Sequence, residues 1–411
     1  MNGFTTRAIH GSGRGKREAH GSLRVPVYDS AAFEHETSSS LRDAFMGRKP
    51  AHIYSRITNP TVQDFESRVQ ALTGALSVLA VSSGMAAISN TLIALGGAGK
   101  NIVTSRYLFG NTLSLFEKTF AAWGLETRYV SMLNPDELAG AIDDKTCAVF
   151  LESITNPQLE IADCRSLSAI TRERGVPLIV DNTLMTPYLF NCAGAGVDIE
   201  IISSTKYISG GATSVGGLII DHGSFDWSRA AGFRKRAARF GKMAFIAALR
   251  QEVYRDTGAC LSPHNAYLQS LGLETMALRI DKSCRNAQRL AEFLGKNPEV
   301  TMINYPGLAD SASHHTANRQ FGHKYGGVLT FDLSSIKECF SFMDALRIIR
   351  RATNINDNKS LILHPASTIF AEYSDEKKKR MAVRPTMLRL SAGIEDYEDL
   401  ITDLQKGFAS L

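Results

Sequence analysis

Ile199-Glu200-Ile201-Ile202-Ser203-Ser204-Thr205-Lys206 is a short, mostly apolar run followed at once by three hydroxyl residues and a lysine. A run of that length reads as a buried strand, and the polar residues read as what lies beyond its carboxyl end. The same pattern recurs upstream. Residues 77–81 lead into Ser82-Ser83-Gly84-Met85, residues 147–151 into Glu152-Ser153-Ile154-Thr155-Asn156-Pro157, and residues 177–180 into Asp181-Asn182-Thr183. Residues 101–104 and 127–130 read as two further strands. Between the strands, apolar spacing predicts helices over 63–72, 85–95, 113–123, 135–142 and 164–174. Strands of this length alternating with helices of about ten residues predict an α/β fold, a mostly parallel sheet with helices on both faces.

Outward from this alternation the texture changes on both sides. Residues 1–58 hold Gly11, Gly13, Gly15 and Gly21, then Ser38-Ser39-Ser40 and Pro50, with too few apolar residues for a core of their own. They are expected to form an arm that lies on something else. Residues 59–255 form the expected large domain. Residues 256–411, with a long helix over 266–294, a strand over 328–333 and helices over 335–350 and 397–408, are expected to be a smaller α+β domain.

The 411 residues are 44% hydrophobic and 21% charged, which excludes a disordered chain and a disulfide-stapled miniprotein. Lys and Arg number 46 against 41 Asp and Glu, a net +5 spread thinly along the chain. The denser clusters, 233–236 and 377–380, come with no groove-reading motif, so no nucleic-acid partner is expected. No apolar run approaches the roughly 18 residues of a membrane span, and Met1 to Arg7 lack the apolar core of a signal peptide. Six scattered cysteines without a Cys-x-x-Cys pair fit a reduced, cytoplasmic protein, and no metal-ligand spacing is present.

In open parallel sheets, ligands sit beyond the carboxyl ends of the strands. Glu152, Asn156, Asp181, Ser203, Thr205 and Lys206 would converge there, beside the Ser83-Gly84-Met85 turn that opens a helix. Taken singly, each has a structural reading: Asp181 and Thr205 as caps, Lys206 as a solvated lysine, the glycine turn as mere chain reversal. Together they match the needs of an aldehyde cofactor with a phosphate and a pyridine ring. A lysine forms the Schiff base, a carboxylate pairs with the ring nitrogen, and hydroxyls at a helix N-terminus hold the phosphate.

The stretch Ser204-Thr205-Lys206-Tyr207-Ile208-Ser209-Gly210-Gly211 resembles the lysine signature of the Cys/Met-metabolism family of pyridoxal-phosphate enzymes. Ordered matches continue along nearly the whole chain, including Tyr54-Ser55-Arg56, Ser83-Gly84-Met85-Ala86-Ala87, Asn156-Pro157, Asp181-Asn182-Thr183, Leu363-His364-Pro365-Ala366-Ser367 and Arg389-Leu390-Ser391-Ala392-Gly393. The resemblance implies the PLP-dependent fold type I, aspartate aminotransferase-like, with pyridoxal 5'-phosphate as cofactor. It implies that Lys206 carries the cofactor and moves protons, that Asp181 pairs with the pyridinium nitrogen, and that Asn156 lies near the phenolic oxygen. Ser83, Gly84, Met85, Ser203 and Thr205 correspond to the phosphate cradle. Tyr54 and Arg56 correspond to a pair that reaches the phosphate of a neighbouring subunit, which implies at least a dimer and commonly a tetramer. Arg389, with Asn354, corresponds to the grip on the substrate carboxylate.

Where the family usually has Tyr-Gly-x-Thr stacked on the cofactor, this chain has Phe109-Gly110-Asn111-Thr112. Phe109 can stack but brings no hydroxyl. That substitution, Lys359, and the glycine-rich stretch after Lys206 are most similar to the O-acetylhomoserine sulfhydrylases. The implied reaction is γ-replacement on an O-acyl-L-homoserine by sulfide or a thiol, giving homocysteine or a thioether. The alternative is γ-elimination from methionine or cystathionine to 2-oxobutanoate and ammonia.

Overall fold

The computed structural model describes residues 2–11 and 21–411. Gly13 and Gly15 lie outside the described residues. Seven strands form the larger sheet: β1 Ser77–Val81, β2 Asn101–Ser105, β3 Glu126–Val130, β4 Thr146–Glu152, β5 Leu178–Asp181, β6 Ile199–Ile202 and β7 Gly217–Asp221. Their spatial order is β1-β7-β6-β5-β4-β2-β3. Only β7 runs against its neighbours β1 and β6; the other pairings are parallel.

The strands read as continuous apolar runs because both faces of the sheet are buried. Val149, Leu151, Val180 and Leu218 point into one apolar cluster, whereas Ala148, Phe150, Ile179 and Ile219 point into another on the opposite face. The covering helices start where the sequence caps them. Asn59 accepts from Thr61 N ahead of the Pro60–Thr73 helix, and Ser83 accepts from Ala86 N ahead of Gly84–Leu95. β7 was not among the expected strands. Its first residue, Gly217, belongs to the glycine-rich stretch, and a Cβ there would lie 2.1 Å from the Ser83 carbonyl oxygen. The glycine is therefore demanded by the turn after β1, which passes directly over the strand.

The second, smaller sheet holds β8 Met302–Asn304, β9 Val328–Asp332, β10 Arg350–Arg351, β11 Leu361–Leu363 and β12 Met387–Ser391, in the order β10-β11-β12-β9-β8. The helix Pro263–Leu294 ties the two layers together. Its Leu273, Met276 and Ile280 enter the core of the large sheet, and its Ala287, Leu290 and Leu294 enter that of the small one. The helix expected over 335–350 is Ile336–Ala345. It ends early because the buried Asp403 carboxylate accepts from the amides of Arg347, Ile348 and Ile349, drawing the chain out towards β10.

The first 58 residues are not irregular throughout. Phe4–His10 and Ser38–Phe45 are helices. The first packs on this chain itself: Ala8 is buried, the Phe4 ring lies 4.9 Å from that of Tyr188, and Arg7 donates to the carbonyls of Ala71 and Leu72. The second is nucleated by a capping box at Thr37 and buries none of its residues.

Candidate active site

The carboxyl ends of β1, β4, β5 and β6 open into a cavity of about 290 Å³. Its wall contains Ser83, Gly84, Met85, Phe109, Asn156, Asp181, Ser203, Thr205, Lys206 and Arg389. Asn354 is not part of this wall but touches it at Lys206, whose Nζ donates to Asn354 Oδ1 at 2.6 Å. Tyr54 and Arg56 do not join this wall. They lie on the surface, Tyr54 43% exposed, with the Arg56 guanidinium 5.5 Å from the Tyr54 ring centre and donating to the Arg255 carbonyl.

One end of the cavity is built from the turn after β1 and the turn after β6. A Cβ on residue 84 would lie 2.7 Å from Ser203 Cβ, so the two turns close together only around a glycine. The helix N-terminus at Gly84 and the Ser203 hydroxyl are donors of the kind an anionic phosphate requires, and the Thr205 hydroxyl lies in the same wall. Thr205 is held by its own exchange with Gly216, donating to its carbonyl at 3.2 Å and accepting from its amide at 3.1 Å.

Asp181 ends β5 beside Glu152, which ends β4; the two are paired in register. Thr183 N donates to Asp181 Oδ1 at 3.0 Å, and burial raises the Asp181 carboxyl above its ordinary range. Glu152 accepts from Phe109 N at 2.6 Å and from Asn156 N at 3.1 Å. Burial, and then the neighbouring Asp181 charge, push the Glu152 carboxyl up to about 8.

Two cations face these carboxylates across the cavity. Burial, and then Arg389, bring the Lys206 ammonium down to about 8, while Asp357 opposes the fall. Arg389, on β12, is 2% exposed and reaches across from the small sheet. Its hydrogen bonds go to Asn156 Oδ1 at 3.0 Å and to the carbonyls of Thr353 and Asn354 at 3.2 Å each, none of them a carboxylate. Its Nε has no partner, and burial alone brings the guanidinium down to about 9. A buried guanidinium without an anion is costly, and a carboxylate ligand would relieve it.

The donor set fits pyridoxal 5'-phosphate: a phosphate cradle, a carboxylate for the ring nitrogen, a flat aromatic face in Phe109, and, for the aldehyde, an amine whose proton burial has loosened. Thr183, Leu184, Thr353 and Ile355 also line the cavity and are not singled out by the sequence, whereas Glu152 is placed at this sheet edge by the sequence but without a role. Glu152 had a usable signal, since it follows an apolar strand as Asp181 does. Lys359 is exposed and lies outside the wall, so its sulfhydrylase-like character does not act through contact with the cavity.

Residues 5–409 match the model of the Cys/Met metabolism PLP-dependent enzymes. A solved O-acetylhomoserine sulfhydrylase from Wolinella succinogenes is 44% identical, with 99% of this chain and 100% of that one covered and a TM-score of 0.79. A solved chain from Campylobacter jejuni carrying N'-pyridoxyl-lysine-5'-monophosphate is 32% identical, with both chains fully covered and a TM-score of 0.95. L-methionine gamma-lyase of Pseudomonas putida is 36% identical over 98% of this chain and 96% of its own length.

Proposed function

Because the chain belongs to the Cys/Met metabolism PLP-dependent enzymes, we propose that it replaces the acyloxy group of O-acetyl-L-homoserine with sulfide or a thiol. With sulfide the products are homocysteine and acetate. The observation that carries this reading is the pair of buried cations, Lys206 and Arg389, facing one cavity. Arg389 has the geometry and the unmet charge to take an amino-acid carboxylate. Among the described residues of the wall the cations are Lys206 and Arg389, which supports an uncharged acetyl group over a succinyl or phosphoryl group.

When bound, pyridoxal 5'-phosphate supplies an aldehyde for the amino group and a ring that spreads negative charge developed at Cα. The chain does the rest. Arg389 fixes the carboxylate and thereby the direction of the Cα–H bond. Lys206, brought towards neutrality by burial, takes the Cα proton at Nζ and returns it, while Asn354 Oδ1 restrains that atom. Asp181 would hold the ring nitrogen and favour its protonated form, and Phe109 would offer the ring a flat apolar face without a hydroxyl to contribute a proton. The sulfhydrylase likeness at 44% identity supports replacement over elimination.

A γ-lyase is the second reading, supported by the 36% identity to L-methionine gamma-lyase. Every residue assigned above serves either outcome. Product analysis separates them: purified enzyme with cofactor is given O-acetylhomoserine with and without sulfide, and methionine alone. Homocysteine that depends on sulfide supports the replacement. Rapid 2-oxobutanoate from methionine, with no gain from sulfide, would overturn it in favour of the lyase.

The same reading includes assembly. Residues 1–58 serve as an arm, 59–255 as the cofactor domain and 256–411 as the smaller domain. Tyr54 and Arg56, exposed here, reach the phosphate in a neighbouring subunit. Leu41, Phe45 and Met46, exposed in the same N-terminal segment, support a buried contact, in a dimer at least and a tetramer by family likeness. No helix among the described residues is long and apolar enough to cross a membrane, and a cytoplasmic location accords with the free cysteines.

A further inference from the structure

Glu152 belongs to none of the roles assigned so far, although it lies in the wall of the cavity and is 5% exposed. It stands at the end of β4, between the turn that follows β2 on one side and the end of β5 on the other. Each carboxylate oxygen has a separate task. Oε1 accepts from the amide of Phe109, which comes 43 residues earlier, and Oε2 accepts from the amide of Asn156, four residues later. Asn156 in turn holds Arg389 Nη1 through its own Oδ1. On the remaining side, Ser153 N donates to the Asp181 carbonyl at 2.9 Å, so the backbone at Glu152 is also fastened to the residue facing the ring nitrogen.

A buried carboxylate beside another buried carboxylate is expensive, as the upward shift of Glu152 records. A structural residue in this place needs no charge, because an amide or a hydroxyl can also accept an N–H. In its ionised form Glu152 accepts from two unrelated turns at once and donates to neither, and those two amide hydrogen bonds oppose the upward push of burial and Asp181. The ring-stacking position, the carboxamide next to it and the carboxylate-gripping arginine are thereby connected through one side chain.

We propose that Glu152 is a positioning residue that fixes Phe109, Asn156 and, through Asn156, Arg389 as a single unit, so that cofactor tilt and amino-acid carboxylate binding are set together. The inference rests on reading this cavity as the cofactor and amino-acid site, and it holds for replacement and elimination alike. Glu152→Gln is nearly the same shape but turns an NH₂ group towards one of the two amides. Glu152→Ala removes both acceptors.

The test uses holoenzyme and two readouts that do not depend on the γ-reaction. The circular dichroism band of the bound cofactor reports its tilt, and a spectral titration with glycine reports carboxylate binding. Glu152→Gln is expected to weaken the dichroic band and raise the glycine dissociation constant about tenfold, with Glu152→Ala worse in both. The melting temperature of the cofactor-free Glu152→Gln protein is expected to stay near that of the wild type. A dichroic band and a glycine constant both within about twofold of wild type in Glu152→Gln would overturn the assignment. So would a lowered melting temperature as the sole change. Wild-type enzyme that binds cofactor and glycine but makes no homocysteine would overturn the reaction proposed above and leave this assignment standing.

Discussion

Arg389 is a guanidinium in a buried place with no anion, and Lys206 is an amine whose proton burial has loosened; each makes a measurable demand. Arg389→Lys keeps the charge but loses the planar fork, so KM for the amino acid should rise about 10- to 100-fold with a smaller change in kcat. Steady-state kinetics check this, and an unchanged KM would remove Arg389 from carboxylate binding. For Lys206 the sign follows from the shift from the ordinary 10.5 to about 8. Between those two values the unfolded chain still holds a proton that the folded chain has released. The cofactor-free protein should therefore gain stability as pH rises from about 8 towards 10, by at most about 1.4 kcal/mol per pH unit. The gain should vanish in Lys206→Met, so the difference in melting temperature between the two proteins should vary with pH across that window. Lys206, Asp181 and the Ser83 turn are legible in the sequence because each directly follows an apolar strand. The role of Glu152 is not, because its partner Phe109 is far away in the chain and is brought near only by the pairing of β2 with β4.

At the scale of elements, the sheet order decides which turns can meet. The turn after β1 and the turn after β6 form one cradle although more than a hundred residues separate them, and β7 lies between their strands. Gly217→Ala would place a methyl group against the Ser83 carbonyl, so the turn must lift or the strand must shift. Cofactor affinity should fall by at least about tenfold while the secondary structure seen by far-ultraviolet circular dichroism stays intact. Equilibrium dialysis of the cofactor checks it; unchanged affinity would mean that the turn has slack the contact does not reveal. The strands of the large sheet are readable where both faces are buried, as in 147–151. β7 is not, because a strand entered through two glycines looks like a loop. The short strands of the smaller sheet, such as β10 with two residues, carry too little pattern to announce themselves. The early stop of the helix at Ala345 depends on Asp403, a residue in the last helix of the chain, and no local signal near 345 contains it.

For the whole molecule, the outward placement of Tyr54 and Arg56 predicts that catalysis belongs to the assembly. A Lys206→Ala chain lacks the amine but offers an intact Arg56, and an Arg56→Ala chain offers the reverse. Unfolded together and refolded, equal amounts of the two inactive proteins should recover roughly one quarter of wild-type activity, since half the dimers are mixed and each mixed dimer has one complete site. No recovery would place Arg56 outside its neighbour's site. The path of the chain through the large sheet also has a temporal side. A ribosome that has released only the first 216 residues has already made Ser83, Asp181, Ser203 and Lys206, yet β1 and β6 have no strand to join them. From Lys206 to the end of β7 at Asp221 there are 15 more residues to add, a wait on the order of one second at ordinary elongation rates. During that interval the nascent protein has every phosphate ligand of its large sheet and no place to bind the vitamin, so cofactor supply cannot guide the early steps of its synthesis.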